Sequence, residues 1–118
     1  MAPVATVHRQ VASLDRLKYG TRGLILDIVT DDWPAGPALT GIFSADGTQT
    51  YAEANHPLAE VKYVLKGELK VKIDGKEEVL KPGDLLSVQK GAFIGWYPCA
   101  YEVLLFTQRE QMYPPARL

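Results

Sequence analysis

This sequence predicts an all-β domain of the barrel or sandwich kind, for three reasons. Turn formers at Gly20, Gly23, Pro34-Ala35-Gly36-Pro37, Asp46-Gly47, Asp74-Gly75, Pro82-Gly83, Gly91 and Pro98 cut the chain into short segments, the cadence of strands and not of a helical bundle. Between the breaks lie short apolar runs rich in Val, Ile, Leu, Thr and Tyr. The pair Asp74-Gly75 suits a two-residue type I′ hairpin, whose central positions need positive φ, which Asp tolerates and Gly adopts freely.

Taken in order, residues 1–23 read as an N-terminal arm or first strand, with a short helical turn over 11–17 that Ser13 would cap. Strands are expected over 24–29, 41–44, 48–52, 61–65, 68–73, 84–88 and 101–107. In the hairpin, Leu69, Val71 and Ile73 alternate with Lys70, Lys72 and Asp74, so the apolar set faces a core while the lysines stay in water. No long-period repeat, low-complexity segment or linker interrupts the chain, so residues 1–118 are expected to form one domain.

A chain of 118 residues can bury roughly two-thirds of its unfolded surface without staples. Thirteen basic and 14 acidic residues leave a net charge of -1 with no long run of either sign, which argues against a nucleic-acid partner. Neither a signal-peptide core nor a membrane-length apolar run is visible, and the single Cys99 suits a reducing compartment; the expectation is a soluble cytoplasmic protein.

The most specific stretch lies between His56 and Gly91. His56, Glu60 and Gly67 stand in a His-x3-Glu-x6-Gly pattern, followed by the Asp74-Gly75 hairpin and the turn Lys81-Pro82-Gly83-Asp84. This resembles the cupin family, most closely over residues 48–108, through Glu60-Val61-Lys62-Tyr63-Val64-Leu65-Lys66-Gly67-Glu68 and Lys81-Pro82-Gly83-Asp84-Leu85-Leu86. With Lys90-Gly91 followed by the aromatic strand ending at Trp96, it is similar to the branch of ethanolamine-utilisation Q-type and ureidoglycine-handling proteins. The resemblance implies a single-domain jelly-roll β-barrel, a homodimer and a small-molecule ligand. It also implies a metal site whose four ligands would fall at Ala54, His56, Glu60 and Ile94. Two of those residues cannot bind a cation, so no cofactor is expected. Any divalent metal would rest on His56 and Glu60 plus a donor such as Glu53, Gln89 or Tyr51.

Strand parity then collects a different site. If His56 and Glu60 point inward, as the resemblance implies, Lys62 and Val64 share the face of Glu60, and Trp96 shares that of Ile94. His56, Glu60 and Lys62 become candidate catalytic residues, with Tyr51, Ile94 and Trp96 as candidate substrate contacts. Such a cluster suits proton transfer on an oxygenated organic acid or polyketide-like compound by a lyase or isomerase, through decarboxylation, isomerisation, dehydration or cyclisation. The alternative is a non-catalytic module that binds a small ligand. Plainer roles compete: His56 as a core hydrogen-bonding residue, Glu60 and Lys62 as a structural ion pair, Cys99 as an inert thiol, and His8 and Trp33 as surface or loop residues.

Overall fold

The structure, a computed structural model, describes residues 9, 13, 15–19, 23–33 and 36–108. Among the described residues ten strands follow one another: β1 (Leu17–Tyr19), β2 (Gly23–Trp33), β3 (Gly36–Asp46), β4 (Ala52–Asn55), β5 (Glu60–Gly67), β6 (Leu69–Ile73), β7 (Lys76–Leu80), β8 (Leu85–Val88), β9 (Phe93–Trp96) and β10 (Ala100–Gln108). They form two antiparallel sheets, ordered β1-β2-β3-β10-β5-β8 and β4-β9-β6-β7. Their facing sides enclose the core of the jelly-roll. Val64, Val71 and Val103 are wholly shielded there, with Leu69 and Ile94 nearly so.

Local chemistry accounts for the joints. Asp74 at φ 51° and Gly75 at φ 77° make the two-residue turn between β6 and β7, as the Asp-Gly pair predicts. Leu69 and Val71 point into the core, with Ile73 packed against it. Gly67 closes β5 at φ 73°, where a Cβ would collide with the carbonyl of Ala100; no other residue fits without moving β10. Opposite that end, the register of β10 on β5 shifts between Glu102 and Val103, leaving Leu65 as an extra residue.

Two elements depart from expectation. The strand expected over 48–52 begins at Ala52 and runs to Asn55. Asp46 Oδ1 accepts the Thr48 N–H at 2.9 Å, and this local turn takes residue 48 out of any ladder. Of the turn expected over 11–17, Ser13 lies in a 3-10 turn, Asp15 and Arg16 are irregular, and Leu17 opens β1, where pairing with Ile25 supersedes a marginal helix. The rest of that turn and His8 lie outside the described residues. Trp33 ends β2.

Candidate functional site

The polar cluster is assembled by three strands and one loop. Glu60 and Lys62 stand two apart on β5, so their side chains leave the same face. Their neighbours on that face are Val88 and Leu86 of β8 and Thr107 and Leu105 of β10, all buried. Thr107 Oγ1 donates to the carbonyl of Ala59 at 2.9 Å and anchors the entry of β5. His56 follows β4 and is clamped through its backbone: its N–H donates to Ala92 O at 2.8 Å, and its carbonyl accepts from Gly91 N–H at 2.7 Å.

One oxygen joins the three groups. Glu60 Oε1 lies 3.0 Å from His56 Nε2 and 3.1 Å from Lys62 Nζ. An ionised carboxylate only accepts, so Nε2 carries the proton in that contact and, in a neutral ring, Nδ1 is left as an acceptor. Lys62 Nζ sits 5.1 Å from the centre of the Phe43 ring and 5.5 Å from that of Trp96, within cation–π range of both. The imidazole of His56 is 5.8 Å from Trp96. Lys62 is 6% exposed, a burial that a lysine tolerates only with partners such as these.

Burial and pairing oppose each other here. Burial pushes the Glu60 carboxyl up, but the His56 hydrogen bond and the charge of Lys62 outweigh it and hold the group below its ordinary value. Burial draws the Lys62 ammonium below its ordinary value, and the attraction of Glu60 offsets only part of that. The cluster therefore keeps an ionised carboxylate beside an amine whose proton is held less tightly than in water.

The four-ligand metal site that the resemblance implies is incomplete in its donors. Ala54 and Ile94, which occupy two of the four ligand positions implied by the resemblance, face each other across β4 and β9. Neither can donate, and Glu60 Oε1 is already shared between two cationic or N–H donors. Among the described residues no three His, Cys, Asp or Glu side chains converge as metal ligands. Glu53 is turned to Tyr51, and Gln89 lines a cleft with Glu60 without completing a triad.

The other candidates separate. Ile94 is buried in the core, and Trp96 forms the wall of the cluster. Tyr51 belongs elsewhere: it lies over Gly95, where a Cβ would strike its hydroxyl, and that hydroxyl donates to Glu53 Oε2 at 2.7 Å. Gly95 pairs with Glu53 and Lys72, the opposite parity to Trp96 and Val71, so Tyr51 lies on the outer side of the smaller sheet. There it packs on Tyr97 at 4.7 Å, and the bond to Glu53 pushes its phenol up to about 12. It is corrected from a substrate contact to an outer-surface residue, because it lies over Gly95, on the side of the sheet opposite Ile94 and Trp96. Cys99 Sγ accepts from Lys70 N–H at 3.4 Å and donates to Tyr97 O at 3.2 Å, a structural arrangement. Sequence reasoning missed Phe43. Its alternation with Ala45 on β3 marked an inward position, but only the pairing of Phe43 with Val103, and of Val103 with Val64, brings it to Lys62.

Comparison with known proteins agrees with this architecture. The family described as Cupin domain matches residues 44–94. The EutQ protein of Clostridium difficile is similar in structure, with a TM-score of 0.61, 20% identity and coverage of 84% of this chain and 81% of that one. KdgF from Halomonas sp. gives 0.63 at 17% identity, covering 83% and 89%. A protein of unknown function from Rhizobium leguminosarum gives 0.68 at 17%, covering 89% and 98%. No curated protein matches the sequence. The match over residues 44–94 and these structures show that the fold is that of the cupins, with a structural likeness to EutQ-type proteins. Among the described residues, no helix is long and apolar enough to cross a membrane.

Proposed function

We propose that this cupin-fold protein is a metal-independent acid–base enzyme, of lyase or isomerase type, acting on a small oxygenated organic acid or polyketide-like metabolite in a reducing, cytoplasmic setting. The observation that carries the reading is the single Glu60 oxygen shared by His56 Nε2 and Lys62 Nζ in an otherwise apolar interior. In this scheme Glu60 orients the imidazole and His56 Nδ1 takes or returns the substrate proton. Lys62 keeps the carboxylate ionised and supplies positive charge toward a developing enolate. No step uses a metal.

One feature favours a second reading, a non-catalytic binding module. The Lys62 amine already contacts Glu60 and two aromatic rings, so the cluster is satisfied without a substrate. Screening small hydroxy-, keto- and enol-acids by calorimetry, then following bound ones by NMR, separates the two. Turnover or exchange of a substrate C–H with deuterated solvent that His56→Ala abolishes supports the enzyme. Binding without exchange or turnover supports the module, and no binding at all rejects both.

A further inference from the structure

Among the described side chains Lys62 is the one buried lysine; Lys66, Lys76, Lys81 and Lys90 are exposed, and Lys70 and Lys72 are half-buried. It leaves the inner face of β5 beside Leu86 and Leu105, which are buried with it. Fold stability does not call for an amine there, since apolar side chains in place of a buried ion pair are commonly neutral or stabilising. Its surroundings instead supply what a lysine needs to condense with a carbonyl group. Glu60 Oε1 stands 3.1 Å from Nζ as a proton acceptor, and the same oxygen lies 3.0 Å from His56 Nε2. The rings of Phe43 and Trp96, centred 5.1 and 5.5 Å away, stabilise positive charge on that nitrogen, whether as ammonium or as iminium. Low exposure limits the water that would hydrolyse a C=N bond before it reacts. The cluster is still reachable, because 15% of the His56 side chain and 12% of that of Glu60 stay accessible.

We propose that Lys62 Nζ forms an imine with a small acid that carries a ketone or aldehyde group. This role rests on the acid–base reading of the cluster and narrows its substrate class to keto and aldehyde acids. The condensation balances without an outside reagent. Glu60 takes a proton from the Lys62 ammonium, the freed electron pair forms a C–N bond to the carbonyl carbon, and Glu60 returns the proton to the carbonyl oxygen. A second proton follows the same path, from Nζ through Glu60 to the new hydroxyl, and the C–O bond breaks with loss of water. The third proton stays on the iminium, so the site holds one positive charge before and after, beside the same carboxylate and rings. The iminium is an electron sink. From the carbon next to it, a C–H proton passes to His56 Nδ1 or a carboxylate leaves as carbon dioxide, and either way the bonding pair enters an enamine. Reprotonation of the enamine and addition of one water release the product and restore the amine.

Reductive trapping tests it. The full chain is incubated separately with pyruvate, glyoxylate and acetoacetate in the presence of sodium cyanoborohydride, and the modified lysines are located by peptide mass spectrometry. A lysine with a purely structural role reacts last, because it is the least accessible. The imine requires the reverse: with at least one of the three acids, Lys62 is expected to be labelled at least about tenfold faster than any exposed lysine. Glu60→Gln removes the proton acceptor and is expected to slow labelling at Lys62 by a similar factor, leaving the exposed lysines unchanged. The wild-type result stands alone if that variant fails to fold. Lys62 spared by all three acids, or labelled at an unchanged rate in folded Glu60→Gln, overturns the proposal. Deuterium exchange separates this from the underlying reading. If Lys62 is spared while substrate C–H exchange still depends on His56, the imine is overturned and the acid–base site stands; if both are missing, both fall.

Discussion

At the scale of single residues, the cluster makes His56, Glu60 and Lys62 unequal. Glu60 serves both neighbours, so Glu60→Gln leaves a buried Lys62 without its anion. Stripping one partner from a buried pair costs about 3 to 5 kcal/mol, and thermal or urea melts are expected to show a loss of that order. Lys62→Met is expected to cost less, because Glu60 keeps its hydrogen bond to His56 and the thioether chain fills the space between Phe43 and Trp96. Removing both charges together should recover much of the Glu60→Gln loss. His56→Ala is expected to leave stability within about 1 kcal/mol of the parent while abolishing turnover or ligand binding. Unchanged ligand binding in all three variants, with only lowered melting temperatures, would reduce the cluster to a structural ion pair.

The same residues set a pH dependence. The folded-state pKa of Glu60 lies below its ordinary 4.5, so its contribution to stability is present above that value and is lost as pH falls through the depressed folded pKa. Lys62 acts in the opposite range. Its folded pKa lies below the ordinary 10.5, so the unfolded chain holds the proton more tightly and this group's penalty on folding shrinks as pH rises toward 10.5. Stability measured from neutral pH down to about pH 2 is expected to fall less steeply in Glu60→Gln than in the parent. Parallel acid limbs in the two proteins would show that Glu60 is not held ionised.

At the scale of elements, two glycines with positive φ predict different outcomes. Gly75 has open space where a Cβ would stand, so Gly75→Ala meets only the conformational penalty of a left-handed backbone, about 1 to 2 kcal/mol. At Gly67 the same substitution also drives a Cβ into the carbonyl of Ala100, which accepts the Glu68 N–H at the start of β10. Gly67→Ala is expected to lower the melting temperature well beyond Gly75→Ala, and equal effects would show that the β5 end can move aside. The Asp-Gly turn was legible beforehand, whereas Gly67 stood in the sequence only as the last residue of the His-x3-Glu-x6-Gly pattern. The start of β4 was not legible, because the hydrogen bond that holds Thr48 to Asp46 competes locally with strand pairing and no periodicity records it.

At the scale of the whole molecule, the donor set predicts metal content. His56 and Glu60 alone make a weak site, so elemental analysis after chelator treatment is expected to find well under one Fe, Mn, Ni or Zn per chain. One firmly retained ion per chain would require donors outside the cluster described.

The sequence by itself determined the strand cadence, the hairpin, the cupin framework and the replacement of two ligand positions by Ala54 and Ile94. These are properties of neighbours a few positions apart, where turn chemistry and two-residue alternation act directly. Parity along β5 likewise put Glu60 and Lys62 on one side before any pairing was known. Only the tertiary structure decided that Phe43 caps Lys62 and that Tyr51 lies on the outer surface. Those relations join strands distant in sequence, and they depend on register and on the bulge at Leu65, which long-range packing sets.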